Sequence, residues 1–213
     1  MFTEGIKIYH ITHISNVVGI VNQGLILSDA KMITSGAGHT SIGMSSIKTR
    51  RLNLPVRCNP PTTVGQYVPF YFCARSIMLY ILHKGNHPDM SFHDGQGPIV
   101  HLQSDLSKTI RWANEQGTPW AFSDTNAGAG YANFYNSLNS LSCLDFDAIF
   151  KTDFCGPRTK EGKQAEFLFL DAFPWLLVEH IGVINAAMVR NVGNALTASE
   201  HKPTVSVEPE WYF

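Results

Sequence analysis

Lys163-Gln164-Ala165-Glu166-Phe167-Leu168-Phe169-Leu170 reads as a short buried strand with a carboxylate at its entrance. Residues 165–170 are apolar apart from Glu166. Strand alternation puts Glu166 and Leu168 on one face and Ala165 and Phe167 on the other. A carboxylate in such a run is costly unless it is paired or used. Two readings stand side by side: a last exposed residue before the strand enters the core, or a buried functional acid.

Working outward, Gln66-Tyr67-Val68-Pro69-Phe70-Tyr71-Phe72 predicts a second, aromatic-rich strand, and Pro69 in it predicts an edge position or a bulge. Ser76 is placed to cap a helix over 77–84 that Gly85 ends. Residues 6–13 predict a strand, with Ser15 capping a helix over 16–23 and Gly24 ending it. Further strands are expected at 98–103, 119–122, 148–151 and 177–184, with Ser104 capping a helix to about residue 116. Residues 28–63 and about 123–145 are polar and aperiodic, and predict two long loops, the first with a helical turn around 47–52. The tail from residue 185 has only weak helical character. This mixed order predicts an α+β fold, one domain over 1–213, with a site built from loops on a rigid scaffold.

Composition narrows the function. The chain has 213 residues, 44% hydrophobic and 15% charged, which excludes disordered and fibrous classes. A formal net charge of −1 argues against a protein that grips duplex DNA along its backbone. It leaves room for an enzyme that meets a few nucleotides in a local basic groove, seeded by Lys48, Arg50, Arg51 and Arg57, or for a plain solvated loop carrying those charges. Cys58, Cys73, Cys143 and Cys155 form no Cys-x-x-Cys pair, and no Cys/His spacing resembles a metal site. No apolar run is long enough to span a bilayer, and the start Met-Phe-Thr-Glu-Gly-Ile-Lys lacks the order of a signal peptide. Free thiols in a reducing cytoplasm are the expected setting.

Several familiar sites are missing: the phosphate-binding P-loop, the Gly-x-Gly-x-x-Gly fingerprint and the Gly-x-Ser-x-Gly elbow. Ala127-Gly128-Ala129-Gly130 lacks the third glycine and the strand-to-helix turn. A dinucleotide would therefore not be held by a Rossmann fold. In Tyr9-His10-Ile11-Thr12-His13, His10 and Thr12 share one strand face, where imidazole and hydroxyl could hold an amide or a ribose, or serve only as local caps. The aromatic block Tyr67, Phe70, Tyr71 and Phe72 followed by Arg75 suits a flat ring and a phosphate, or a core strand.

In order along the chain, Tyr9-His10-Ile11-Thr12-His13-Ile14-Ser15-Asn16, Ile47-Lys48-Thr49-Arg50-Arg51, Val68 through Tyr80, Ala121-Phe122-Ser123-Asp124-Thr125-Asn126-Ala127 and Lys163 through Leu168 resemble the DarT family of DNA ADP-ribosyltransferase toxins. The match runs to about residue 185, and the tail adds nothing to it. The resemblance implies an ADP-ribosyltransferase core with a split, partly antiparallel sheet and flanking helices, and NAD as substrate with no metal. By position it implies that His10, Thr12 and Asn16 meet the nicotinamide and its ribose, that Tyr71 stacks nearby, and that Arg75 holds the diphosphate. The 28–50 segment would close over the cofactor.

The same resemblance makes Glu166 the catalytic acid and Arg51 the group that handles the acceptor base, with Arg50 the alternative. Arg50, Lys48, Asn126, Tyr131 and Phe134 would face DNA. The implied reaction is transfer of ADP-ribose to a base, thymidine by overall likeness, in single-stranded DNA. The implied partner is a DarG-like macrodomain antitoxin. Transfer to guanosine, RNA or protein, and a silent NAD- or DNA-binding module, remain the alternatives at this point.

Overall fold

The computed structural model describes residues 5–36 and 38–213. Its first half runs β1 (Lys7–His13), α1 (Ile14–Gln23), β2 (Leu25–Leu27), α2 (Asp29–Ser35), α3 (Ser45–Arg51), β3 (Tyr67–Tyr71), α4 (Ile77–Lys84), β4 (Ile99–Asp105) and α5 (Leu106–Glu115). The second half runs β5 (Trp120–Ser123), β6 (Phe134–Tyr135), α6 (Phe146–Phe150), α7 (Pro157–Gly162), β7 (Glu166–Leu170), β8 (Ala172–Pro174), β9 (His180–Val183), α8 (Ala186–Ala195) and β10 (Thr204–Val207). Eight strands form one sheet in the order β10-β9-β4-β1-β3-β7-β5-β6, and β2 pairs with β8 in a small second sheet. Among the described residues only β10 and β9 pair in parallel. The α+β expectation holds.

The sheet is split in its middle, and the split makes the site. β1 pairs with β4 along its whole length, from Lys7↔Asp105 to His13↔Ile99. Toward β3 it makes one register contact, Tyr9↔Tyr71. β3 turns instead to β7, pairing from Tyr67↔Leu170 to Tyr71↔Glu166. Beyond Tyr9 and Tyr71 the halves part, and a cleft opens between β1 and β3.

Pro69 explains part of that divergence. It sits in a central strand, not at the sheet edge that its ring led us to expect. Its carbonyl accepts a hydrogen bond from His10 Nδ1 at 2.9 Å, so that side of Pro69 faces β1. In a strand the amide and carbonyl of one residue point the same way, and the missing N–H therefore falls in the gap where β1 and β3 do not pair. The proline is tolerated because the edge is local.

β7 is buried on both faces. Phe70 and Phe169 both pack on Phe173, with ring centroids 4.5 and 5.1 Å apart, which ties β3, β7 and β8 into the main core. Fully burying each such ring contributes about 1.5–3 kcal/mol. The strand that carries Glu166 is thus among the most firmly packed elements of the molecule.

Other expectations need correction. The 28–63 stretch is not one loop, for Ser28 caps α2 by accepting from the Lys31 amide, and α3 follows. The 123–145 stretch contains β6 and a 3-10 turn at Leu138–Cys143. Residues 148–151 are helical in the main, because Asp145 accepts from the Ala148 amide and starts α6 where a strand was expected. A stretch as short as 148–151 gives periodicity too little length to separate helix from strand. His13 stands at the N-cap of α1 in place of Ser15, and Asp105 at that of α5 in place of Ser104.

The tail is part of the fold. Asn185 caps α8, and β10 returns parallel to β9 to widen the sheet. Trp211 then lies flat against Gly182, so close that a Cβ there would collide with its indole. Tyr212 donates to the Ile99 carbonyl at 2.8 Å. We expect Gly182→Val to expel Trp211 and lower stability by about 1–3 kcal/mol. An unchanged denaturant midpoint would show that the tail is not held by this contact.

Candidate active site

The cleft between the sheet halves has a volume of about 330 Å³, in the range of ligand pockets. One wall is the His10–Thr12 stretch of β1 with α1. The opposite wall comes from α3 and α4, and the mouth is lined by every residue from Gly38 to Met44. Tyr71 and Arg51 lie at its inner end, beside Asn126 and Gln164.

Beneath Arg51 lies Glu166. Its side chain opens β7, opposite Tyr71, and the residue is 1% exposed, so it is not the last solvated residue of the strand. Arg51 Nη1 donates to Oε1 at 3.0 Å and Nη2 to Oε2 at 2.9 Å. The Ala127 amide donates to Oε1, also at 3.0 Å. A carboxylate offers about four acceptor positions. Oε1 uses two and Oε2 one, which leaves Oε2 as the oxygen with an unused lone pair.

Burial on its own would lower the Arg51 pKa, but the facing Glu166 carboxylate outweighs it, and the guanidinium is held charged above its ordinary range. Tyr71, enclosed beside the same carboxylate, has its phenol pushed far up by burial and stays a neutral donor.

The helical period turns the two arginines in different directions. On α3, Ile47, Lys48 and Arg51 share the inward face while Arg50 points out. Arg50 instead lies against Gly128 on the 123–145 segment, where a Cβ on Gly128 would meet its Nη2 at 3.4 Å.

On β1, His10 Nδ1 bonds the Pro69 carbonyl, which can only accept. Nδ1 therefore carries the proton. Burial disfavours the imidazolium and lowers the His10 pKa, so the ring is neutral and its Nε2 is an acceptor. Thr12 accepts from Asn16 Nδ2 at 3.0 Å.

The structure thus brings His10, Thr12, Asn16, Lys48, Arg51, Tyr71 and Asn126 to one cleft, with Glu166 directly behind Arg51. It does not bring Arg75 there. That guanidinium lies 4.4 Å above the Phe213 ring and is not among the residues that line the cleft. Lys48, expected to face DNA, is on the cleft wall with Nζ 2.8 Å from Asp29 Oδ1, joining α3 to α2. Phe134 packs on the cluster around Tyr67 and Leu168, whereas Tyr131 is 71% exposed.

Sequence reasoning passed over Gln164, which accepts from Asn126 Nδ2 at 3.1 Å. Its position two residues before Glu166, on the same alternation, was a usable signal. It also passed over Ser123, whose hydroxyl accepts from the Glu166 amide at 3.3 Å and ties β5 to the start of β7. Among the described residues no group of acids, histidines and cysteines could hold a metal, and no helix is long and apolar enough to cross a membrane.

Comparison with known proteins agrees with this geometry. A family model described as ssDNA thymidine ADP-ribosyltransferase, DarT, matches residues 9–213. The match includes the tail that was expected to add nothing. A DNA ADP-ribosyl transferase of Thermus sp. (strain 2.9) is 35% identical over 215 residues, covering 100% of this chain and 98% of that protein. Among solved structures, Thermus sp. 2.9 DarT in complex with ADP-ribosylated ssDNA matches with a TM-score of 0.87 at 35% identity, over 99% of this chain and 97% of that one. Thermus sp. 2.9 DarT in complex with NAD+ matches with a TM-score of 0.80 at 32% identity, over 99% and 98%.

Proposed function

This chain belongs to the DarT family, and from that premise we propose that it transfers ADP-ribose from NAD to thymidine in single-stranded DNA, with Glu166 and Arg51 as its catalytic pair. Family membership makes it an NAD-dependent DNA ADP-ribosyltransferase. The observation that carries the residue assignment is the buried two-point pair at the inner end of the cleft, with one lone pair of Oε2 unused.

His10 and Thr12 take the nicotinamide riboside end of NAD, and Tyr71 borders it. As the glycosidic bond lengthens, nicotinamide leaves with the bonding electrons and positive charge grows on the ribose. Glu166 is the fixed negative charge that stabilises it, by accepting from a ribose hydroxyl at Oε2 where water is excluded. Since Arg51 covers Glu166, one of its two carboxylate bonds yields as the hydroxyl arrives. The base nitrogen gives up its proton to solvent as it bonds to the ribose carbon, so negative charge develops on the base on the way to a neutral N-ribosyl product. Because Arg51 is held charged, it acts by polarising the base and stabilising the resulting anion; it is not a free base in this state.

The base must be reached outside a duplex, which favours a single strand. Exposed Tyr131 offers a ring for stacking, and Arg50 and Asn126 both lie against Gly128. Such a modification would block replication, consistent with a toxin of a bacterial toxin–antitoxin system. A DarG-like macrodomain antitoxin that removes the ADP-ribose is the expected partner, acting in the cytoplasm.

The test is transfer of labelled ADP-ribose from NAD to a mixed-sequence single strand, with the duplex as control and adducts mapped base by base. We expect label on thymidine of the single strand alone. Guanine as the sole modified base would overturn the thymidine assignment, and label on protein only would overturn the DNA assignment for this chain. Removal of the label by a purified ADP-ribosyl-hydrolysing macrodomain is the expected antitoxin behaviour.

A further inference from the structure

Asn16 was expected to touch the nicotinamide, yet its side-chain amide is committed elsewhere. Nδ2 donates to the Thr40 carbonyl at 2.9 Å, and Oδ1 accepts from the Thr40 amide at 2.8 Å. These two backbone groups can only accept and only donate, respectively, so they fix the orientation of the amide. The remaining Nδ2 proton goes to Thr12 Oγ1 at 3.0 Å. A hydroxyl run reinforces the same point: Thr40 Oγ1 and Ser15 Oγ are 2.8 Å apart, and Ser15 Oγ is 2.7 Å from His13 Nδ1.

Two consequences follow from one side chain. Thr40 lies in the middle of the 38–44 segment, all of which lines the mouth of the cleft, and Asn16 pairs with it as a neighbouring strand would. Thr12, at the other end of the amide, has its oxygen occupied as an acceptor. Its own proton is left to donate to a group other than Asn16, and the cleft that Thr12 lines is open to receive such a group. Beside it, on the same strand face, His10 presents Nε2 as an acceptor. The wall therefore reads as one donor and one acceptor, complementary to a carboxamide or to neighbouring ribose oxygens.

We infer that Asn16 is a positioning residue of the transfer reaction, acting through two neighbours: it seats the 38–44 segment on α1 and sets the Thr12 hydroxyl as a donor into the cleft. This rests on the reading that the cleft binds NAD. Asn16 itself makes no contact with the reacting atoms. Its loss leaves the Thr40 backbone groups unpaired and lets the Thr12 hydroxyl turn, so NAD is bound less well while the chemistry on bound NAD persists.

The test compares wild type with Asn16→Ala, Asn16→Asp and Thr12→Val, singly and with Thr12→Val combined with Asn16→Ala. Asn16→Asp keeps an acceptor for the Thr40 amide and removes both donations. For Asn16→Ala we expect KM for NAD to rise about tenfold, the loss of roughly one buried hydrogen bond, with kcat changed less than about threefold. Amide hydrogen exchange should accelerate in 38–44 and not in β7. In the Thr12→Val background the KM effect of Asn16→Ala should shrink, because part of it passes through Thr12.

Unchanged KM together with unchanged exchange in 38–44 would overturn the inference, as would a fall in kcat with KM intact. Fully additive effects of the two substitutions would remove the Thr12 branch. If wild type itself bound no NAD, the reading of the cleft would fail, whereas the exchange comparison would still decide whether Asn16 seats the segment.

Discussion

Glu166→Gln is expected to lower kcat for transfer to single-stranded DNA by on the order of 10³-fold, with NAD still bound. The substitution keeps the shape of the side chain and removes the charge that faces the developing ribose cation. It also leaves Arg51 buried without its counter-charge, and breaking a buried pair costs up to about 3–5 kcal/mol. A thermal melt must therefore accompany the assay. Glu166→Asp separates the two effects, for it keeps the charge pair but withdraws the carboxylate by one methylene. Misplacement on that scale costs about 10²-fold in rate while the fold persists. A folded Glu166→Asp protein with full transfer activity would return Glu166 to a structural role.

The expectation concerns one oxygen. Oε1 is saturated by Arg51 Nη1 and the Ala127 amide, whereas Oε2 holds only Arg51 Nη2. The Ala127 contact also couples the acid to the 123–145 segment, which Asn126 fastens to Gln164 at the entrance of the same strand. Position of the Glu166 carboxylate and position of the 123–145 segment are thus linked through two consecutive residues, Asn126 and Ala127.

How much of this could be read from the chain follows from the range of the interactions involved. Glu166 was visible because a carboxylate in an apolar run violates a local pattern, and the strands 67–71 and 166–170 were visible because alternation and aromatic content agree. Gly24 and Gly85 marked the ends of α1 and α4 because a left-handed terminus needs no tertiary partner. By contrast, β10 is a partly exposed edge strand with no core signal, and α6 is a five-residue helix whose start is set by its cap residue, Asp145. Central placement of Pro69 was illegible because it depends on β1 veering away. The ring that Arg75 covers was illegible for the same reason, for Phe213 lies 138 positions on. Asn16 and Thr40 meet across 24 positions of chain, a pairing that no local pattern announces.

Arg51→Ala is expected to lower transfer to DNA by about 10²-fold or more while lowering NAD hydrolysis to water by less than tenfold. Water needs no guanidinium to stabilise it as an acceptor, whereas a base nitrogen that must shed its proton does. The variant also uncovers Glu166 from the cleft side, which favours contact with the ribose and so spares the glycosidic step. Loss of the partner leaves the buried carboxylate with the Ala127 amide alone among its present donors, and a stability loss of up to about 3–5 kcal/mol is expected. Arg51→Lys should recover part of that stability, because a point charge remains, but little of the transfer, because an ammonium cannot hold both carboxylate oxygens in the plane that a guanidinium does. Arg50→Ala is the comparison that makes the result specific to one arginine. Arg50 points away from Glu166 and toward Gly128, so its loss should weaken DNA binding with a salt-dependent rise in KM for the oligonucleotide and leave NAD hydrolysis alone. Equal loss of transfer and hydrolysis in Arg51→Ala would assign Arg51 to the glycosidic step through Glu166, and full transfer in Arg51→Ala with none in Arg50→Ala would exchange the two roles.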